Sequence, residues 1–165
     1  MKKIVVVFLL VVTLISSYFG YNYFSSRNLD FDEVSHYVIS DDVLPIPTIT
    51  HSITKLENLL VYKEYPYSLD ISIHNELIKV GYRKKEIDKA KFSKLIEVLE
   101  YEINFKFGIS KCETTYRDVL VFQKNKKIVG IVKICFDCGK YYSIGENLPN
   151  FNFENYDQLE NLLEK

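Results

Sequence analysis

The first 24 residues constrain the organisation of this chain more than any other segment. Lys2 and Lys3 are followed by an apolar run, and residues 4–21 contain no charged side chain. A helix needs roughly 17–25 apolar residues to cross the hydrocarbon core of a bilayer. Lysines before such a span favour a cytoplasmic N-terminus, and tyrosines such as Tyr18 are favoured at the outer interface. The segment therefore predicts an N-terminal membrane helix, with residues 4–24 in contact with the membrane.

A cleaved signal peptide is the alternative interpretation of the same segment. The basic start and the apolar stretch fit a signal peptide, but cleavage requires small residues at the exit. Cleavage after Ser17 fits best, although Ile15 then occupies a position where a small residue is favoured. Under either interpretation, residues 1–26 are a signal anchor or signal peptide, and residues 27–165 form an extracytoplasmic domain. We therefore expect a membrane-anchored protein with its soluble domain outside the cytoplasm or, after cleavage, a secreted or periplasmic protein.

The size and charge of residues 27–165 narrow the class of partner. A segment of this length is typical of one domain. The chain has 21 Lys and Arg and 22 Asp and Glu; without Lys2 and Lys3, 19 basic residues stand against 22 acidic ones, a net charge of −3. Nucleic-acid-binding domains carry a basic patch or stripe instead. We therefore expect no nucleic-acid partner, and a protein or another component of the envelope as the partner.

Alternating and β-branched residues predict the strands of the domain. Residues 34–39 form one strand, and residues 119–123 with 128–136 form a hairpin. The second hairpin strand is apolar on both faces apart from Lys133, which is typical of an interior strand covered on both sides. Further strands are predicted at 58–65, 77–83 and 141–144. The leucines of the first of these also fit a helical face.

Two segments have the periodicity of helices. Asp88 is a favourable N-cap for a helix over 89–102, whose apolar residues recur at helical spacing. A second helix is predicted over 156–164, with its leucines on the buried face. The predicted fold is therefore α+β: an antiparallel sheet with a central hairpin at about 112–136, packed by these two helices and preceded by the N-terminal membrane helix.

Cys112, Cys135 and Cys138 are the only cysteines, and the last two form a Cys-x-x-Cys motif. A thioredoxin-type redox pair places that motif at the start of a helix, whose N-terminus stabilises the thiolate. Residues 139–145 make a poor helix, which argues against redox catalysis. A structural zinc site needs four ligands, so zinc bound by the three cysteines lacks one. The fourth would have to be His36, His51 or His74.

A structural disulfide is the interpretation that we favour. If residues 113–117 extend the hairpin, Cys112 lies opposite Cys138 with a three-residue turn and one position away with a two-residue turn. Cys135 then lies roughly 10 Å further along at about 3.3 Å per residue, whereas bridged Cα atoms lie within about 7 Å. The argument predicts a Cys112–Cys138 bridge and a buried free thiol at Cys135. Pairing of Cys135 with Cys112 or with Cys138 stays open.

The C-terminal third carries a recognisable pattern: Cys112, Arg117 five residues later, a β-hairpin and then the run Ile134-Cys135-Phe136-Asp137-Cys138-Gly139. It resembles a loose group of small exported bacterial proteins that carry an Ile-Cys-Phe-x-Cys strand after a Cys-containing segment, followed by a C-terminal helix. The resemblance covers residues 112–165. That group has no assigned activity, so the resemblance implies a bacterial, exported protein with a shared cysteine pattern, not a reaction.

Catalytic motifs are absent from the sequence. The chain has neither a glycine-rich phosphate loop nor a Gly-x-Ser-x-Gly or His-Glu-x-x-His motif, and its three histidines look isolated. We therefore assign no catalytic residue and no cofactor. The sequence favours a non-enzymatic binding or structural module of the envelope. The alternative is a thiol-dependent redox or metal-binding protein that uses Cys112, Cys135 and Cys138, with zinc as the metal.

Overall fold

The computed structural model describes residues 30–44, 53–100, 112–145, 148 and 156–164. Within these residues, five strands form one antiparallel sheet in the spatial order β2-β1-β3-β4-β5. They are β1 (Glu33–Val38), β2 (Arg83–Glu86), β3 (Asp118–Lys124), β4 (Lys127–Cys135) and β5 (Lys140–Gly145). The predicted α+β class and the antiparallel sheet with its β3–β4 hairpin are confirmed.

Four α-helical segments accompany the sheet in the described part of the chain. They are α1 (Lys55–Glu57), which a π-helical segment (Asn58–Tyr62) continues, α2 (Ile73–Val80), α3 (Phe92–Glu100) and α4 (Tyr156–Glu164). A 3₁₀ turn precedes α3, and the Asp88 carboxylate caps this turn by accepting a hydrogen bond from the Ala90 amide at 2.9 Å. The two predicted helices are confirmed, although residues 101–102 of the first lie outside the described residues.

The sheet is covered on both faces. On one, which we call the α3 face, α3 and α4 pack on alternate residues of the strands. Its buried core consists of Val34, Leu95, Val98, Leu99, Leu120, Phe122, Val132, Ile134, Leu159 and Leu163. On the other, the α2 face, the π-helical segment and α2 pack on the intervening residues. That core consists of Tyr37, Ile39, Leu60, Val61, Ile73, Leu77, Val80, Tyr82, Val119, Val121 and Ile131. Burial on both faces explains the apolar sequence of β4.

The turn between β3 and β4 has two residues, Asn125 and Lys126, whose φ angles are 49° and 63°. Two positive φ angles are typical of a type I′ turn, which matches the twist of the flanking strands. The Asp32 carboxylate stabilises the turn by accepting a hydrogen bond from the Asn125 amide at 3.0 Å. Beyond the turn, a β-bulge at residues 122–123 shifts the pairing register by one residue.

The strands predicted at 58–65 and 77–83 are wrong. Residues 58–62 are π-helical, and residue 77 lies inside α2, which ends at Gly81 with φ 106°. Glycine adopts this left-handed backbone without steric cost, so Gly81 ends the helix. The edge strand β2 begins two residues later and is exposed along its length. The leucines of residues 56–60 fit both the helical and the strand periodicity, and packing against the sheet stabilises the helical form.

The predicted membrane segment lies outside the described residues. Within the described ranges, none of the helices has the length and apolar character required to span a bilayer. The division into residues 1–26 and 27–165 accordingly stays a prediction.

Candidate functional site

A buried histidine–aspartate pair lies at one end of the α3 face. His36 on β1 is 3% exposed, and its Nε2 lies 2.7 Å from Oδ1 of Asp118 at the start of β3. Pairing of β1 with β3 brings the two residues together across 82 positions of sequence. If Asp118 is ionised, it accepts a hydrogen bond from Nε2–H, which leaves Nδ1 as the acceptor in a neutral ring. The aspartate thus fixes both the orientation and the tautomer of the imidazole.

Arg117 precedes Asp118 and carries a second set of ionic contacts. Its guanidinium lies 2.7 Å from Asp41 and 3.7 Å from Asp137, and its side chain is 37% exposed. Its Nε is buried and has no hydrogen-bond partner among the described residues. A buried donor without an acceptor is unfavourable, because the donor has lost its hydrogen bond to water.

These groups line a cavity of about 330 Å³ where the sheet meets α4. The volume is at the lower end of the range for small-molecule sites. Its ionisable lining residues are His36, Asp41, Lys85, Arg117, Asp118, Asp137 and Glu160. Four carboxylates against two permanent cations give this cavity, which we call the sheet-end cavity, a net charge of −2 when His36 is neutral.

The three cysteines meet at the end of the α2 face. Cys112 and Cys138 form a disulfide with their Cα atoms 5.6 Å apart, and Cys135 is a buried free cysteine. All three Sγ atoms lie within 4.8 Å of one another. The predicted pairing of Cys112 with Cys138 is therefore confirmed, and Cys135 occupies the buried position expected for it at the end of β4.

The register that led to this pairing is only partly right. Residues 113–117 do not extend the hairpin, because β3 begins at Asp118. Cys138 lies in the turn between β4 and β5, and the Gly139 amide donates to the Phe136 carbonyl at 3.1 Å in that turn. The bridge therefore joins the segment before β3 to a turn. No helix begins at the Cys-x-x-Cys motif, which agrees with the argument against a thioredoxin-type site.

A buried lysine lies beside the cysteine cluster on the α2 face. Lys133 on β4 has no solvent exposure, and its ammonium donates to the carbonyls of Leu59 at 3.2 Å and Lys63 at 2.7 Å. The same nitrogen lies 4.5 Å from the centroid of the Tyr116 ring. Burial lowers the pKa of Lys133 to about 7, and the nearby Glu64 opposes this effect. Burial also raises the pKa of Tyr116 to about 12.

The structure finds partners for two histidines that look isolated in the sequence. His74 on α2 lies 2.6 Å from the Tyr37 hydroxyl, and burial lowers its pKa, with Lys84 adding to the effect. His51 lies outside the described residues. Neither His36 nor His74 belongs to the cysteine cluster, so neither supplies the fourth ligand that zinc would need. The local sequence gives one indication that His36 is buried, because His36 occupies an inward position of a strand that is otherwise apolar on that face.

No family model matches the chain, and no curated protein or solved structure shows significant similarity to it. The function is therefore argued from the residues of the sheet-end cavity and of the cysteine cluster.

Proposed function

We propose that the chain is a non-enzymatic binding module of the cell envelope, which holds a small organic cation in the sheet-end cavity. The observation that carries this proposal is the charge of the cavity lining, with four carboxylates against Lys85 and Arg117. Asp41 and Asp137 both contact Arg117, so their charges are partly compensated. The remaining negative charge favours a ligand with an ammonium group.

The location outside the cytoplasm is part of this proposal. A disulfide between Cys112 and Cys138 supports it, because disulfides persist in oxidising compartments and are rare in the cytosol. The charge-free run of residues 4–21 supports attachment to a membrane. The domain then lies on the outer side, where the cavity is open to envelope components.

The location is tested by fractionation of the source cells. We expect the full-length chain in the membrane fraction, with its C-terminal domain sensitive to protease added from outside. N-terminal sequencing of the protein distinguishes the two forms of export. A soluble product that begins near Tyr18 would reject the anchor and keep the export, whereas a chain found only in the cytosol would reject both.

The ligand preference is tested with three sugars that share the glucose ring and differ in charge. They are glucosamine, which is a cation, glucose, which is neutral, and glucuronate, which is an anion. Titration followed by amide chemical shifts should show the strongest effect for glucosamine at residues of the sheet-end cavity, and the weakest for glucuronate. Asp137→Asn should weaken glucosamine binding by about two- to fivefold, the range for a partly exposed ion pair. Asp137 suits this test because its side chain is 68% exposed, so the fold should be retained.

The matched control is Glu97→Gln, which removes one exposed carboxylate from α3, outside the cavity lining. This variant should bind glucosamine as the natural chain does. Equal binding of glucosamine and glucuronate, or equal losses in the two variants, would show that the cavity carboxylates do not select a cation.

A second candidate function, thiol chemistry, is supported by one observation: the three Sγ atoms lie within 4.8 Å. The redox form of this function has less support, because Cys135 is 1% exposed and Cys138 is 5% exposed. A dithiol–disulfide oxidoreductase needs an accessible, activated thiolate. The metal-binding form has no such requirement, and the geometry of the three sulfurs bears on it directly.

A further inference from the structure

We propose that the cysteine cluster, once its disulfide is reduced, is a three-coordinate site for copper(I). Cys112, Cys135 and Cys138 supply one sulfur each, and the three sulfurs lie within 4.8 Å of one another. Elements that pack independently of any metal position them: Cys135 ends β4, Cys138 lies in the following turn, and Cys112 precedes β3. This site goes beyond the cation-binding function of the sheet-end cavity and shares no residue with it.

The spacing of the sulfurs suits a trigonal metal site. Metal–thiolate bonds of about 2.3 Å, the length found for zinc, place the sulfurs of a planar trigonal site about 4 Å apart. The cluster already holds Cys135 within 4.8 Å of both bridged sulfurs. The Cα atoms of Cys112 and Cys138 are 5.6 Å apart. After reduction, a rotation of these two side chains is therefore sufficient to open the space for a metal between the sulfurs.

The number and type of ligands favour copper(I) over zinc. Structural zinc takes four ligands, and among the described residues the cluster offers three. The two histidines that the structure describes are engaged elsewhere, His36 with Asp118 and His74 with Tyr37. Thiolate ligands are soft and select copper(I), zinc and iron–sulfur clusters, so the number of ligands decides between copper(I) and zinc. A site that has three thiolates and no fourth ligand among the described residues therefore fits a soft monovalent ion that accepts trigonal coordination.

Positive charge is available near the cluster to balance the thiolates. Three thiolates and one copper(I) carry a net charge of −2. Lys133 lies two residues before Cys135 on the same face of β4, and its ammonium lies over the Tyr116 ring, which packs on Cys135 and Cys138. Lys140, at the start of β5, donates to the Thr114 hydroxyl at 3.2 Å beside Cys112. The Lys140 ammonium reduces the cost of the negative charge, and Lys133 adds to this effect where its amine is protonated.

The metal-bound and bridged states exclude each other, and the conversion is balanced. A dithiol reductant donates two electrons and two protons to the Cys112–Cys138 bond, which breaks to give two thiols while the reductant becomes a disulfide. Binding of copper(I) then forms three sulfur–copper bonds and releases three protons to solvent, and the metal keeps its oxidation state. In the reverse direction, a disulfide oxidant accepts two electrons from the Cys112 and Cys138 thiolates and two protons from solvent and becomes a dithiol; the bridge reforms, the copper(I) leaves unchanged, and Cys135 takes up one proton.

The test is an anaerobic titration of the full chain with copper(I) in competition with the chromophoric chelator bathocuproine disulfonate. The phosphine-reduced chain should bind one copper(I), and X-ray absorption should give three sulfur neighbours. Alkylation should be slowed at all three cysteines. The oxidised chain, whose Cys112 and Cys138 are bridged, should compete at least about tenfold less well. Loss of a residue that merely hydrogen-bonds to a metal ligand already weakens metal sites 10–100-fold, and the bridge removes two ligands.

Cys135→Ser is the decisive variant, because it removes one sulfur and keeps the bridging pair. After reduction it should bind copper(I) at least about tenfold more weakly than the reduced natural chain. His74→Gln is the matched control, outside both the cluster and the sheet-end cavity, and should bind copper(I) as the natural chain does. Equal affinity of Cys135→Ser and the natural chain, or an X-ray absorption spectrum with two sulfur neighbours, would overturn the proposal.

Folding is followed in the same samples, since unfolded thiols also bind copper. The amide spectrum of the copper-bound chain should match that of the oxidised chain outside residues near the three cysteines. Copper bound to a chain with the spectrum of an unfolded protein would overturn the proposal. Glucosamine binding by the sheet-end cavity is measured separately, so failure of one proposal is distinguishable from failure of the other.

Discussion

Replacement of Cys112 by Ser should lower the melting temperature by roughly 10 °C, and replacement of Cys138 by Ser should lower it by a similar amount. The two cysteines are bridged at a sequence separation of 26 residues. By the chain-entropy model, a loop of this length contributes on the order of 3 kcal/mol to stability, because the bridge restricts the unfolded chain. Both variants lose the same bond, so the double variant should cost little more than either single one.

Sensitivity to reductant supplies the control for this prediction. The natural chain and Cys135→Ser keep the bridge, so a reductant should lower the melting temperature of both. Cys112→Ser and Cys138→Ser have no bridge to lose, and their melting temperatures should not respond. Cys135→Ser has an effect of its own, because the hydroxyl enters a site that is 1% exposed. A Cys135–Cys138 linkage in non-reducing peptide maps would contradict the assignment of the bridge.

The disulfide shows what sequence reasoning can reach in this chain. Cys112 and Cys138 were paired by counting residues across a hairpin, and the pair is correct. The counting assumes a regular ladder that reaches residue 113, whereas a bulge at residues 122–123 shifts the register and β3 begins only at Asp118. The bridge still forms, because the turn after β4 returns Cys138 to the segment before β3. A bulge and an irregular turn depend on tertiary packing, which local sequence does not encode.

The same limit explains the two segments that were predicted as strands. Residues 58–62 and the end of α2 contain valine, tyrosine and isoleucine, which are enriched in strands. Their helical form depends on contacts that are distant in sequence. The Tyr116 amide donates to the Val61 carbonyl at 2.8 Å, and Lys133 bonds to carbonyls at the end of the same helical segment. The helices at 89–102 and 156–164 were predictable because an N-cap or a clear apolar stripe marks each one locally.

The sheet-end cavity was out of reach of the sequence for a related reason. His36 and Asp118 are 82 residues apart, and only the β1–β3 register shows that they meet. An ion pair across such a distance has no spacing signature. The polar residue at an inward position of β1 was the one available signal, and it indicated a buried histidine without indicating its partner.

Lys133 provides the second large effect, a dependence of stability on pH. Burial lowers its pKa to about 7 in the folded chain, from the usual value of 10.5 that a lysine has in an unfolded chain. Below pH 7 the lysine is charged in the folded and in the unfolded chain, so the full cost of burying the ammonium lowers the free energy of unfolding. Between pH 7 and pH 10.5, the unfolded chain binds a proton that the folded chain does not, so the free energy of unfolding rises with pH. Above the higher value both states are neutral and the rise ends.

Lys133→Met removes this titration while it keeps a long apolar side chain in the core. It also leaves the carbonyls of Leu59 and Lys63 without their donor, a cost of about 1–3 kcal/mol for each unsatisfied group that does not depend on pH. The unfolding free energy of the natural chain minus that of this variant should therefore rise from pH 6 to pH 9.5. The fall in the pKa of Lys133 from 10.5 to about 7 corresponds to a rise of at most about 5 kcal/mol in the free energy of unfolding. Since the two carbonyls and the Tyr116 ring favour the ammonium, we expect a rise of a few kcal/mol.

Urea unfolding at pH 6 and pH 9.5 measures this difference, and subtraction of the variant removes the contributions of the tyrosines. Lys127→Met is the matched control, because Lys127 lies on the same strand and is exposed. That variant should follow the natural chain at both pH values. Parallel pH profiles for the natural chain and Lys133→Met would mean that the buried amine keeps its proton throughout, held by the two carbonyls and the aromatic ring. In that case Lys133 would be a permanent cation beside the three sulfurs, and the charge argument for the copper(I) site would hold at every pH of the measurement.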